Sequence, residues 1–261
     1  MPIYQLSCPI IRKTHLTTDV ISLTLQCPQI VAEILPGQFI MIRVRNEVYP
    51  LLRRAFSVSR VFPREGWLEI MVQRVGTGSR ILLQKEEGEA VDVLGPLGSY
   101  FAPQQITGKA LLVGGGIGIA PLFFLAQHLQ SQQRKFSIIF GGRSHQQIFF
   151  LEEFEPAIIP CTEDGSLGEK GLVTEVLVKQ LQLDNTATVF ACGPNPMLKA
   201  VARLCRERGI SCQVSMEAPM ACGVGVCMGC PVPLSKGGYA YVCKEGPVFP
   251  AEMINFEQIP G

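Results

Sequence analysis

The chain has almost no surplus of charge of either sign. Its 261 residues set 23 Lys and Arg against 22 Asp and Glu, a formal net charge of +1. The basic excess that draws a nucleic-acid-binding domain to phosphate is missing, and no nucleic-acid partner is expected. Histidine is scarce too: His15, His128 and His145 are scattered with no catalytic partner in view, and each reads as structural or solvated. The opening Met1-Pro2-Ile3-Tyr4-Gln5 lacks the basic and apolar regions of a secretory leader, so a reducing cytoplasm is the expected location. No run spans a membrane convincingly. Ala110 to Ala126 carries no charge, but Gly114, Gly115, Gly116 and Gly118 interrupt it and Pro121 follows, which favours a strand, a turn and a helix over one spanning helix.

What is present is apolar and rich in cysteine. A composition of 47% hydrophobic and 17% charged residues supports a buried core and excludes global disorder. The length suggests two domains and a small appendage. From Gln5 to about Phe101, short alternating segments such as Ile21–Leu25, Phe39–Val44 and Trp67–Val72 lie between Gly/Pro turns, the pattern of a small barrel or sandwich, with one helix near Ser79. After Ala102-Pro103, apolar strands at Ala110–Val113, Phe136–Phe140 and Thr188–Ala191 alternate with helical segments, which implies a parallel sheet with helical crossovers. From about Val214 onward, cysteine, glycine and proline dominate around one expected hairpin, Pro231–Leu234 with Tyr239–Cys243. So short a segment without a long apolar face needs help to hold together, and a metal centre would supply it. The expected units are 1–102, 103–213 and 214–261.

Of ten cysteines, four fall between Cys222 and Cys243. Cys222-x4-Cys227-x2-Cys230 with a later Cys243 is the plant-type spacing for a [2Fe–2S] cluster. Ala221, Gly223, Gly225, Val226 and Gly229 keep that loop small, so backbone N–H groups can approach the sulfurs. A tetrahedral zinc site is the competing explanation, but only Cys227 and Cys230 form the usual CxxC pair. Cys8, Cys27, Cys161, Cys205 and Cys212 read as small apolar residues.

Three further segments carry chemistry. Arg54-Ala55-Phe56-Ser57 begins a strand, and Gly76-Thr77-Gly78-Ser79 leads into a helix whose N–H groups could hold a phosphate. Gly114 to Pro121 is not a strict GxGxxG sequence, yet it offers a strand, a close backbone approach and a helix start. A plain structural turn would look the same. Cys192-Gly193-Pro194 ends a strand where open α/β sheets bind ligands.

Together these segments resemble the ferredoxin–NADP reductase superfamily. Within it, Met220–Cys230 and Val242–Phe249 are similar to the electron-transfer subunits of NAD-dependent, class 1B dihydroorotate dehydrogenases. The resemblance covers essentially the whole chain. It implies an FAD-binding antiparallel β-barrel, a Rossmann-like parallel-sheet nicotinamide domain and a small C-terminal [2Fe–2S] lobe. It also implies FAD contacts from Arg54, Ala55, Phe56, Ser57, Met71, Val72, Gln73, Gly78 and Ser79. Gly116, Gly118, Cys192 and Gly193 would serve NAD, and Cys222, Cys227, Cys230 and Cys243 would bind the cluster. Phe56 departs from the tyrosine common in the superfamily and Ala55 from a frequent proline; stacking survives both changes. Glu163 and Asp164 would repel a 2′-phosphate whereas Arg143 could attract one, so the residues leave NAD and NADP open and only the family favours NAD.

The implied partner is an FMN-containing subunit that oxidises dihydroorotate in pyrimidine biosynthesis, in a heterotetramer with two of each subunit. The three expected units account for the residues given and none reads as an organic-substrate domain, so the electrons are expected to come from or go to another protein. No single acid–base residue is expected to dominate. Two alternatives stand: a reductase subunit serving a ferredoxin, hydrogenase or bifurcating complex, and a redox-sensing module without turnover.

Overall fold

The computed structural model describes residues 1–106, 108–150, 152–183 and 187–259. Its first part is a closed antiparallel barrel. Strands β1 (Tyr4–His15), β2 (Val20–Gln26), β3 (Phe39–Arg43), β4 (Arg54–Phe62), β5 (Trp67–Gln73) and β6 (Ala90–Leu97) close in the order β1-β2-β5-β4-β3-β6. A short helix α1 (Pro28–Val31) and a longer α2 (Thr77–Leu83) are its only helices. Alternation sends Ile21, Leu23, Leu25, Ile40, Ile42, Val58, Leu68, Ile70 and Val72 into a dry interior. Closure leaves no unpaired sheet edge in the barrel.

The second part is the expected strand–helix alternation. Strand β7 (Ala110–Gly115) passes through a tight 3₁₀ turn at Gly116–Ile119 into α3 (Ala120–Ser131). Then come β8 (Phe136–Gly142), β9 (Ile158–Thr162), β10 (Glu169–Lys170), α4 (Val173–Leu183), β11 (Thr188–Cys192), α5 (Asn195–Glu207) and β12 (Cys212–Ser215). The sheet order is β10-β9-β8-β7-β11-β12-β15, parallel from β10 to β12. Chain direction across the sheet reverses at β7: β8 and β9 lie on one side, β11 and β12 on the other. The carboxyl ends of β7 and β11 therefore flank the crevice where such sheets bind ligands. Among the described residues no helix is long and apolar enough to cross a membrane; the apolar run from Ala110 is strand, turn and helix.

The cysteine-rich segment is also held by strand pairing and apolar packing against the other two units. Beyond the hairpin of β13 (Pro231–Pro233) and β14 (Tyr239–Tyr241), strand β15 (Val248–Pro250) pairs antiparallel with β12 and extends the large sheet. The Ser99 hydroxyl, just past the barrel, donates to the Val248 carbonyl at 2.9 Å and accepts the Val248 amide at 3.1 Å. Val232, Val242, Phe249 and Ile254 join one apolar cluster with Val214 and Leu198 of the α/β unit and Met41 of the barrel. The sequence pattern missed β15 because three residues ending in proline show no usable periodicity.

Candidate functional site

Two cavities open where barrel, sheet and cysteine loop meet. One, about 620 Å³, lies against the barrel, with Arg54, Ala55, Phe56 and Ser57 of β4 on one wall. Met71 and Gln73 of β5 and Gly76–Ser79 at the start of α2 form another wall. Val72 lies between Met71 and Gln73 but turns into the barrel core, as strand alternation requires. A Cβ on Gly78 would come within 2.6 Å of Arg54 Nε, so the absent side chain lets the guanidinium stem lie on the helix start. The Arg54 guanidinium donates to the Leu52 carbonyl. The Ser79 hydroxyl accepts the amides of Val75 and Gly76 at 2.9 and 3.0 Å and so shapes the turn before α2.

The second cavity, about 590 Å³, lies at the sheet's crevice and is lined by Gly115–Gly118, Gly193 and Pro194. A Cβ on Gly118 would lie 2.6 Å from Gly193 Cα: the two turns touch only because neither carries a side chain there. Cys192 does not line the cavity. It is buried beneath it, and burial raises its thiol pKa, with the nearby Glu217 carboxylate acting in the same direction. Arg143 and Glu163 both line the far end. Asp164 is turned aside, accepting the Ser166 hydroxyl at 2.6 Å and the Ser166 amide at 2.9 Å, so the acidic contribution to this end is Glu163's.

Gln73, Ile117 and Glu217 line both cavities and mark their common mouth. Only Gln73 was legible from the sequence. Glu217 faces the open mouth while protein walls it on most sides, and that loss of water pushes its carboxyl pKa up. A lone glutamate after a short strand gives no sequence signal; its place at the end of β12, beside the crevice, is what identifies it.

The cysteines gather as two pairs. The Sγ atoms of Cys230 and Cys243 lie 3.3 Å apart and are nearly inaccessible, whereas Cys222 and Cys227 sit on the outer side, with Cys227 exposed. Among the described residues no three His, Cys, Asp or Glu side chains converge on one ion position. A two-and-two grouping suits a binuclear cluster, with two thiolates per iron, better than a single tetrahedral ion. Backbone amides already point at the sulfurs: Val224 and Cys227 donate to Cys222 Sγ at 3.4 and 3.5 Å, and Gly225 donates to Cys243 Sγ at 3.1 Å. Burial works against ionisation of Cys222, but these donors outweigh it and bring its pKa down to about 6. Cys243 is pushed up to about 12 by burial and by the neighbouring Cys230 thiol.

One segment threads all three places in order. Glu217 stands at the shared mouth, Ala218 and Met220 line the barrel-side cavity, and Cys222 begins the cysteine loop. Two residues of fully extended chain reach at most about 7 Å, so the first thiolate lies close to the cavity wall. Pro247, beyond Cys243, lines the same cavity from the loop's other end.

A barrel carrying an Arg-x-x-Ser strand, a nicotinamide-type crevice and a paired-cysteine lobe define a flavin- and nicotinamide-dependent reductase of the ferredoxin–NADP reductase architecture with an iron–sulfur appendage. Family models agree segment by segment: an oxidoreductase FAD-binding domain over residues 7–101, an oxidoreductase NAD-binding domain over 112–203, and the iron-sulfur cluster binding domain of dihydroorotate dehydrogenase B over 217–255. The chain belongs to the family of dihydroorotate dehydrogenase B (NAD(+)) electron transfer subunits. It is 36% identical to the subunit from Desulforamulus reducens over 88% of this chain and 90% of that one, and 42% identical to that of Geobacillus thermodenitrificans over 83% and 85%. An Aquifex aeolicus homolog of the subunit is 37% identical over 96% and 98%. Among solved structures, a chain of an NADH-dependent reduced ferredoxin–NADP oxidoreductase studied for electron bifurcation matches with a TM-score of 0.86 and 30% identity, over 96% of this chain and 90% of that one. The ferredoxin reductase of carbazole 1,9a-dioxygenase shares the fold, with a TM-score of 0.70 over 80% and 67%.

Proposed function

We propose that this chain relays electrons between NAD(H) and the catalytic subunit of a dihydroorotate dehydrogenase B in pyrimidine biosynthesis. The observation that carries the reading is the single segment from Glu217 to Cys222, which joins the nicotinamide crevice, the flavin cavity and the cysteine loop. FAD held in the barrel-side cavity would supply the chemistry that couples two-electron hydride exchange with a nicotinamide to single-electron exchange with an iron–sulfur cluster.

The protein's own groups position the carriers. The fork of Arg54 suits the FAD pyrophosphate, Phe56 offers a ring face to the isoalloxazine, and Ser57 offers a hydroxyl beside it. Ala55, Met71, Gln73, Gly78 and Ser79 complete that wall, and Val72 supports it from the barrel interior. Gly116 and Gly118 would let an NAD pyrophosphate approach the backbone, while Gly193, with buried Cys192 behind it, would support the nicotinamide. Cys222, Cys227, Cys230 and Cys243 would hold a [2Fe–2S] cluster, and of these Cys227 is exposed and Cys222 partly so. Exposed Val226 and Met228 beside it make an apolar rim for the partner, at 78% and 61% accessibility.

In this reading the partner contains FMN, the assembly has two of each subunit, and it works in the cytoplasm. The family favours NAD over NADP, and Glu163 would oppose a 2′-phosphate at the end of the crevice that Arg143 also lines. Mixing the purified chain with the dihydroorotate-oxidising subunit tests the proposal: NAD-linked orotate formation should need both. Orotate formation by this chain alone, or none with the partner, contradicts it. The likeness to the bifurcating oxidoreductase supports a second reading, a reductase subunit serving a ferredoxin. Ferredoxin-dependent NADH oxidation without any response to dihydroorotate would favour that one.

A further inference from the structure

Farther along α3 than the residues that line the shared mouth, a charged residue lies buried at the barrel–sheet boundary. Arg60 of β4 is 6% exposed. Its Nη1 meets Glu69 Oε1 of the adjacent strand β5 at 3.0 Å, and Ser59 donates to the same oxygen at 3.2 Å. Its Nη2 crosses the boundary to Glu153. The guanidinium carbon also stands 3.9 Å from the ring centroid of Phe150 and 5.9 Å from that of Phe123 in α3. Next to it, the Gln127 side chain of α3 closes a two-way bond with β4, donating to the Val61 carbonyl at 2.7 Å and accepting the Val61 amide at 3.0 Å.

A buried guanidinium serving carboxylates from both units is costly to desolvate and more costly to break, so it favours one relative placement over its neighbours. Arg60 itself ties the barrel to Glu153 and Phe150 and meets α3 only through the Phe123 ring, while the Val61–Gln127 bond beside it ties β4 to α3 directly, so the group as a whole places α3. The turn before α3 carries Ile117 and Gly118 into the nicotinamide crevice, and Ala120 and Pro121 of its first turn line the flavin cavity. Gln127 lies seven residues along the same helix, about 10 Å from Ala120 at the helical rise. A slip at the clasp is therefore carried along a rigid rod to the place where the two cavities meet.

We propose that Arg60 is a positioning residue: with Glu69, Glu153 and the Val61–Gln127 bond it clasps the barrel to the α/β unit, α3 included, and sets the alignment of the flavin cavity with the nicotinamide crevice. Neither cavity contains Arg60, so it acts through α3. This rests on the flavin–nicotinamide reading above. In the step it aligns, the nicotinamide C4–H bond breaks and its hydride, with both electrons, goes to the flavin, so that NADH leaves as NAD⁺. Near-attack geometry is steep in distance, and a displacement of about 1 Å can cost about 10²-fold in rate.

The test compares wild type with Arg60→Met and with the milder Gln127→Ala/Glu153→Gln pair, all FAD-loaded. Stopped-flow reduction by NADH under anaerobic conditions gives the limiting rate and the apparent NADH dissociation constant. Dithionite reduction and Val61 amide hydrogen exchange are measured in parallel. The expected result is a limiting rate lowered about tenfold in the pair and about 10²-fold in Arg60→Met. The NADH dissociation constant, FAD content and dithionite reduction stay unchanged, and the Val61 amide exchanges faster in the pair. If Arg60→Met does not fold, the pair alone decides. A limiting rate equal to wild type despite faster Val61 exchange overturns the clasp. Wild type left oxidised by NADH overturns the flavin–nicotinamide reading itself.

Discussion

The cysteine loop and the two-cavity cleft reach their chemistry by opposite routes. The loop is local: its first three thiols lie between Cys222 and Cys230, and amides of Val224, Gly225 and Cys227 aim at sulfurs only a short turn or one hairpin away. The cleft is assembled from β4, β5, the start of α2, the β7 and β11 turns and the end of β12, segments far apart in sequence. A local site depends on its own residues and tolerates change elsewhere. A composite one depends on how two folded units are docked.

That contrast is sharpened first by removing a local ligand. Cys227 is exposed, so Cys227→Ser should leave the fold intact, abolish the iron–sulfur absorption and iron content, and keep FAD bound. Iron retained in full would show that Cys227 is not a ligand. On the composite side, Arg54→Ala should weaken FAD by about 10- to 10²-fold, the worth of a charge-assisted hydrogen bond, with the iron content unchanged. Titration of the apoflavoprotein with FAD measures it, and unaltered affinity would remove Arg54 from the pyrophosphate site.

Smaller effects probe the mouth and the sulfurs. Glu217 is exposed to the mouth, yet the protein around its carboxyl withholds enough water to raise its pKa. Above that raised value the group is anionic and favours the cationic ring of NAD⁺; as pH falls through it, protonation removes the attraction. NAD⁺ affinity should therefore rise with pH in the wild type and stay flat in Glu217→Gln. The gap at high pH should be about tenfold, the scale of one partly screened charge. Identical profiles would take Glu217 out of the electrostatics of the mouth. In cluster-free protein, Cys222 should be mostly thiolate above pH 6 and Cys243 mostly thiol up to about pH 12. Iodoacetamide at neutral pH should thus label Cys222 well before Cys243, as mass spectrometry would show, and equal labelling would mean the amides do not bias ionisation.

The same contrast decides what the sequence makes legible. Spacing alone exposes the cysteine loop, and strand–glycine–helix order exposes the crevice at Gly114–Gly118, because both are short-range patterns. Glu217 and Ile117 carry no such pattern; they matter because β12 and the β7 turn end beside the barrel. The Arg60–Glu153 contact exists only once the units dock, and β15 is recruited by an existing edge of β12 rather than by its own periodicity. Val72 and Cys192 belong to readable segments, yet strand alternation and burial turn their side chains away from the cavities they flank.

The most direct trial of the relay is an anaerobic NADH titration of the chain carrying both FAD and cluster, followed in the flavin band and in the iron–sulfur absorption. Bleaching of both in the intact chain, and of the flavin alone in Cys227→Ser, is the expected result. A flavin that NADH reduces while an intact cluster stays fully oxidised would contradict the connection drawn from Glu217 through Met220 to Cys222.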